Sequence, residues 1–287
     1  MQQFVFLSPA SLEEVCALLE KEGDTCKVVA GGTDIVPALR QDRLVGVTKL
    51  VDIRRRPELR GIKRTGQGLW IGAATTLSEI VTSREVQHNW VLLAEACRQI
   101  GSKQIRNLAT IGGNVANASP AADSIPALLC LDAKVSLLST RGQREIPLQT
   151  YLAEKEHAGK ELVVGFILPE QPAGTLTKFV KVARRQAMAI SRLSLAMSIH
   201  VQGNVIDFAH LVPGAMLPLA QRLEVVEKFL VGKELSPELS ATAAKSACES
   251  VIAETGMRAS FTYKIPVLEG LIKKALDELQ EVVANHG

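Results

Sequence analysis

The five cysteines, Cys16, Cys26, Cys97, Cys130 and Cys248, are too scattered to form a C-x-x-C spacing. Structural zinc and iron–sulfur sites gather thiolates at short intervals, so no internal cluster is expected. Free thiols in a reducing compartment are expected instead. The five histidines (His88, His157, His200, His210 and His286) form no H-E-x-x-H or other paired set, and no metal site is predicted. Aromatic residues make up 4% of the chain with no basic stripe between them, which argues against a single-strand nucleic-acid platform. A net charge of +3 is too small to direct the chain to nucleic acid or an acidic membrane surface. No segment approaches the roughly 20 apolar residues of a membrane span. Met1-Gln2-Gln3-Phe4 does not open a basic-then-apolar leader, so a cytoplasmic protein is expected. Neither G-x-G-x-x-G nor G-x-x-x-x-G-K-[ST] occurs, which excludes two common phosphate-binding signatures.

What is present is enough apolar material for two packed domains, 47% of 287 residues, and two glycine doublets. The first lies in Lys27-Val28-Val29-Ala30-Gly31-Gly32-Thr33-Asp34, the second in Thr110-Ile111-Gly112-Gly113-Asn114. Each offers backbone amides without side-chain bulk, followed by short polar residues. Two such cradles suit a ligand with two phosphates, and Gly31, Gly32, Gly112 and Gly113 are all expected to exploit positive φ or close approach. The first segment reads as a strand over 27–30, a glycine turn and a short helix over 35–39, which Thr33 or Asp34 caps. Gln104 to Ala109 leads irregularly into the second, and Asp123 is expected to cap an apolar helix from Ile125.

Elsewhere, Ser11-Leu12-Glu13-Glu14 and Thr76-Leu77-Ser78-Glu79 are capping boxes. Leu50–Ile53 reads as a strand and 90–98 as a helix. Hairpins are predicted about Gly66-Gln67-Gly68, Arg141-Gly142 and Gly203-Asn204, and a strand over 162–168. Helices follow over about 221–231, 237–254 and 262–284, with Pro237 opening one and Gly256 following its end. The stretch 169–174 is the expected domain boundary. Arg54-Arg55-Arg56 and Arg184-Arg185 are basic runs that could meet a partner or simply face solvent.

The two glycine segments, with Gln104–Asn114 continuing through Asn117-Ala118-Ser119-Pro120-Ala121-Ala122-Asp123, resemble the FAD-binding medium subunits of the molybdenum hydroxylases, most of all the bacterial xanthine dehydrogenase type. The resemblance covers essentially the whole chain. It implies an α+β fold, with an FAD-binding domain of the PCMH/vanillyl-alcohol-oxidase-like type over 1–172, in subdomains of about 1–55 and 56–172. A smaller domain of antiparallel sheet plus helices, like that of the carbon monoxide dehydrogenase flavoprotein, would follow over 173–287. It implies that Lys27–Asp34 and Ala109, Thr110, Ile111, Gly112, Gly113 and Asn114 wrap the pyrophosphate and neighbouring groups. Asn117, Ala122 and Asp123 would contact the cofactor further along. Leu162 would lie against the flavin or adenine, and Lys181 near the isoalloxazine, steadying charge on the reduced ring. Some relatives place an aromatic near the position of Ile100, where this chain has an aliphatic.

No residue reads as a general acid–base pair or activated nucleophile. The resemblance implies an electron-transfer subunit, partnered by a molybdenum-cofactor subunit and a 2Fe-2S subunit, that passes electrons to NAD or another acceptor. A self-sufficient flavin oxidase or reductase of related fold, and a cofactor-free assembly subunit, are the alternatives.

Overall fold

The structure, a computed structural model, describes residues 4–154, 160–185 and 188–286, with only the backbone at 285 and 286. In chain order the elements begin with β1 (Val5–Leu7), α1 (Leu12–Glu22), β2 (Cys26–Val29), α2 (Ile35–Arg40) and β3 (Lys49–Asp52). The hairpin of β4 (Ile62–Thr65) and β5 (Gly68–Gly72) precedes a run of short helices. These are α3 (Leu77–Thr82), α4 (Arg84–Asn89), α5 (Val91–Arg98), α6 (Lys103–Arg106), α7 (Ile111–Asn117) and α8 (Ser124–Cys130). Next come β6 (Lys134–Ser139), β7 (Gly142–Pro147), α9 (Leu148–Ala153) and β8 (Leu162–Leu168). The rest comprises β9 (Leu176–Ala183), β10 (Ser191–Gln202), β11 (Val205–Gly214), α10 (Glu224–Leu230), α11 (Pro237–Thr255) and α12 (Phe261–His286).

By compactness the chain forms two units, and no single cut divides them. The first takes the described residues of 1–87, 100–119 and 132–170; the second takes 88–99, 120–131 and those from 171 onward. The expected boundary at 169–174 contains the last of these divisions. The two insertions, which carry α5 and α8, had no signature in the sequence.

The first unit holds two sheets. One is parallel, ordered β1-β3-β2, and the other is antiparallel, ordered β4-β5-β8-β6-β7. Helix α1 buries Val15, Cys16 and Leu19 in one cluster with Cys26 and Val51 of the parallel sheet and Leu162 and Val164 of β8. Its amphipathic stripe thus joins the two sheets into one core. Ser11 caps α1 by accepting from the Glu14 amide at 3.2 Å, but the Glu14 carboxylate accepts from the Ala10 amide rather than closing the box on Ser11. Thr76 and Glu79 make the full reciprocal box at the start of α3. All three predicted hairpins form.

The second unit is the antiparallel sheet β11-β10-β9 with a helix layer. Alternate residues of β10 (Leu193, Leu195, Met197 and Ile199) bury themselves against α11 and α12, where Ala243, Ala247, Leu268, Ile272 and Leu276 meet them. The opposite face is lined by the buried Ser194, Ala196 and Ser198. Their small side chains leave room for α8, which contacts both β10 and β11. A Cβ on Gly214 would stand 3.1 Å from Pro126 of α8, so that approach also depends on a glycine. Ser236 caps α11 with Pro237 at its first position, and Gly256, at φ +68°, ends it.

One buried charge secures this unit. Glu227, 4% exposed, accepts from the Leu211 amide at 2.8 Å and from Arg222 through Nε and Nη2. Removing it strands a backbone donor and a guanidinium. Glu227→Ala should therefore lower the unfolding free energy by about 3 kcal/mol, read as an earlier urea midpoint, whereas Lys228→Ala on the exposed side of α10 should change it by less than about 0.5 kcal/mol.

Candidate functional site

Strand β2 delivers the first glycine segment. Its valines suit a buried strand: Val29 packs with Val47 and Leu50, while Val28 and Ala30 lie against the cluster of α1. Lys27 projects to solvent. Gly32 sits at φ +73°, and its carbonyl accepts from the Val36 amide to start α2. Gly31 has no positive φ. It is required by contact, because a Cβ there would collide with the carbonyl of Leu108. The two glycine segments therefore touch at Gly31 and Leu108, both in the first unit.

The amides of Gly31, Gly32, Thr33 and Asp34 donate to no other group among the described residues. Neither Thr33 nor Asp34 caps α2, since Asp34 is already helical and its side chain makes no capping bond. Asp34 keeps more than a third of its surface exposed. Desolvation of its carboxyl by the surrounding protein nonetheless raises its pKa above the ordinary range.

The second segment is built differently from the sequence expectation. A one-turn helix, α6, leads in, capped by Ser102. The glycine doublet then lies inside a helix, α7, with Thr110 as its cap. Every amide from 111 to 114 is engaged: Ile111 with Thr75 O, Gly112 with Ala73 O, Gly113 with Thr110 Oγ1 and Asn114 with Thr110 O. Neither Gly112 nor Gly113 has positive φ. Gly112 is a packing glycine, whose Cβ would stand 2.6 Å from Ala73. The Leu77 amide donates to Ala109 O at 2.9 Å, fixing the segment to the start of α3. What the segment can still offer a ligand is side-chain chemistry, such as the Thr110 hydroxyl, which accepts from the Gly113 amide and keeps its own O–H to donate. The sequence reading gave both doublets the same role; the capping threonine was the available signal that they differ.

Leu162 is 3% exposed in the core of the first unit, so its side chain is already committed to packing. Ala122, Asp123 and Lys181 belong to the second unit. Asp123 does not cap α8 as expected. Its Oδ2 accepts from Lys181 Nζ at 2.7 Å and its Oδ1 from Ser191 Oγ at 2.5 Å, while Lys181 also donates to Gln99 O at 2.9 Å. Lys181 and Asp123 are 8% and 3% exposed, so this is a buried ion pair, completed by the Ser191 hydroxyl that sequence reading missed. Lys181 sits on β9, a strand the sequence reading also missed.

Tyr151 is a core residue, its phenol pushed up to about 12 by burial and by the charge of Glu161. In the basic run 54–56, Arg54 binds both oxygens of Asp52 at 2.9 Å, holding that carboxyl below its ordinary pKa, and Arg56 donates to Ala10 O. Among the described residues no group of three or more His, Cys, Asp or Glu side chains could hold a metal ion, and the five cysteines are free and buried. Among the described residues no helix is long and apolar enough to cross a membrane.

An amide-lined glycine turn thus lies on an α+β unit, and an antiparallel-sheet unit with helices follows it in the chain. Residues 2–171 match the FAD binding domain in molybdopterin dehydrogenase, and 178–279 match the CO dehydrogenase flavoprotein C-terminal domain. The chain belongs to the FAD-binding subunits of the molybdenum hydroxylase family. It is 32% identical to subunit alpha of the 6-hydroxypseudooxynicotine dehydrogenase complex of Paenarthrobacter nicotinovorans, over 95% of this chain and 93% of that one. It is 30% identical to the xanthine dehydrogenase FAD-binding subunit of Escherichia coli O157:H7, over 94% and 93%. Among solved structures, carbon monoxide dehydrogenase from Hydrogenophaga pseudoflava superposes with a TM-score of 0.86 at 29% identity, covering 96% of each chain.

The glycines separate by mechanism. Gly31→Ala should push the two segments apart and lose FAD on gel filtration. Gly113→Ala, which meets only Thr110 Oγ1 at 3.0 Å, should retain FAD and unfold within about 1 kcal/mol of the parent protein. Equal retention in both variants would show that the Gly31–Leu108 contact does not shape the site.

Proposed function

We propose that the chain carries electrons within a molybdenum hydroxylase, receiving them from a 2Fe-2S subunit and passing them to NAD. A molybdenum-cofactor subunit would oxidise the organic substrate. The observation that carries the cofactor site is the run of four unengaged amides at residues 31–34, in a turn where glycines leave the approach open. Diphosphate oxygens need several N–H donors at close range, and such a turn supplies them without a cation.

In this reading Lys27–Asp34 hold the pyrophosphate, and the side chains of Thr33, Thr110, Asn114 and Asn117 add donors. Ala109, Ile111 and Gly112 fix the second segment through their contacts with 73–77, and Gly113 donates to the Thr110 hydroxyl. Leu162 could contribute only its backbone, because its side chain is part of the core. Ala122, Asp123 and Lys181 are assigned to the cofactor by the resemblance. Two of the three Lys181 donors are already engaged, which leaves one. FAD supplies the redox chemistry when bound; the residues of this chain bind it, orient it and exclude water from it.

The substrate of the assembly is not written in this chain. Proteins named for a pyridine-alkaloid derivative, for xanthine and for carbon monoxide match it about equally well. Such unlike substrates imply that recognition lies in another polypeptide.

The test is a redox titration of the purified chain. It should take up one FAD, be bleached anaerobically by NADH and stay oxidised with hypoxanthine or nicotinate until the molybdenum and iron–sulfur subunits are added. Bleaching of the isolated chain by an organic substrate would make it a self-sufficient enzyme. Bleaching by a reduced quinone but not by NADH would reassign the acceptor.

A further inference from the structure

At one corner of the second unit, positive charge gathers without a counter-ion. Arg192 of β10 stacks its guanidinium over the ring of Tyr263, with Cζ 5.3 Å from the centroid. Lys264, the next residue, donates to Ala215 O at 2.6 Å. Burial and the like charges of Arg192 and Arg258 hold the Lys264 ammonium below its ordinary pKa. Among the described residues none of these three cations forms an ion pair, whereas cations elsewhere on this unit do: Lys178 with Glu278, Arg222 with Glu227, and Lys273 with Asp277. Like charges held together, one of them partly desolvated, repel one another in the isolated chain.

The same corner exposes large apolar side chains. Ile190 is 81% exposed, Met257 70% and Tyr263 46%; Met257 and Tyr263 directly precede Arg258 and Lys264, and Ile190 lies two residues before Arg192. Ile190 and Met257 are among the most exposed large hydrophobic residues of the chain. A free phosphate or a nucleotide would satisfy the cations and leave these side chains in water. A protein surface with carboxylates around an apolar centre satisfies both, with Tyr and Arg the residue types enriched where proteins meet.

We infer that the surface formed by Ile190, Arg192, Met257, Arg258, Tyr263 and Lys264 docks an acidic, apolar-centred face of a partner polypeptide. This rests on the reading that the chain works within a multi-subunit assembly, and it assigns one side of that assembly to the second unit. Docking would relieve the like-charge repulsion and cover the apolar side chains in one event.

The test uses the native assembly and the isolated chain side by side. Acetylation of Lys264 and phenylglyoxal modification of Arg192 and Arg258, followed by mass spectrometry, should slow at least about tenfold in the assembly as the surface becomes covered. Carbodiimide should cross-link Lys264 to a partner carboxylate. The triple variant Arg192→Glu, Arg258→Glu, Lys264→Glu should keep its FAD but weaken assembly by about a hundredfold or more in sedimentation. Equal modification in both states, or normal assembly of the FAD-loaded triple variant, would overturn the inference. So would loss of NADH affinity with assembly intact, which would make the surface an anion site, or self-association of the isolated chain that the variant abolishes. A native protein that carries no partner at all would remove the multi-subunit reading along with this one, whereas an assembly with an uncovered corner would remove this one alone.

Discussion

The carbonyl of Leu108 occupies the space where a side chain on residue 31 would begin. Two segments about 80 residues apart lie against each other only because residue 31 is glycine. Their roles then divide. The second is bolted to residues 73–77 by amide hydrogen bonds from Ile111 and Gly112 and by the Leu77 amide on Ala109 O, while Thr110 caps its own helix, so it is a rigid wall. The first leaves its amides unengaged. A wall that uses up its donors can hold in place a turn that keeps its own, and none of residues 31–34 is buried, so a ligand or water can reach that turn.

Charge inside the second unit is handled by pairing, across a long sequence distance for Asp123 and Lys181 and a short one for Glu227 and Arg222. Asp123 meets Lys181 and Ser191, and Glu227 meets Arg222 and the Leu211 amide. Buried pairs of this kind gain little net stability over an apolar replacement, but removing one partner is costly. Their effect is therefore to fix which segments belong together. The Asp123–Lys181 pair, with the Gln99 carbonyl, binds 88–99 and 120–131 to a sheet encoded from residue 176 onward. That is a physical reason why compactness and chain order disagree about where the units divide.

Local chemistry was legible in the sequence wherever a turn or cap determines the structure. Gly66-Gln67, Arg141-Gly142 and Gly203-Asn204 each marked a hairpin, Thr76 with Glu79 marked a helix start, and Pro237 with Gly256 bracketed α11. What stayed hidden depends on partners distant in sequence. The parallel order β1-β3-β2 leaves no local mark, and β1 is only three residues long. Gly112 and Gly113 were expected to exploit positive φ or close approach; in α7 neither has positive φ, and close approach to Ala73 requires a glycine at 112 alone. Asp123 looked like a cap because an acid precedes an apolar helix, yet its real partners lie 58 and 68 residues away. The candidate site residues were read as a set through their resemblance to a family. Their separate functions could be assigned only once the hydrogen bonds were known.

The four unengaged amides at residues 31–34 are neutral dipoles rather than cations. Lys27, the one cation in the first segment, points to solvent, and Lys181 is neutralised by Asp123. Amides fixed by a buried strand on one side and a packed helix on the other need no side-chain ordering when the ligand arrives, so their entropy was lost on folding rather than on binding. A cluster of arginines would attract the same diphosphate from further away, but it would also attract other anions, and it would repel itself before loading. What the turn offers is geometry: four N–H groups in a row, a glycine at positive φ, and a neighbouring backbone that will not admit a side chain at residue 31.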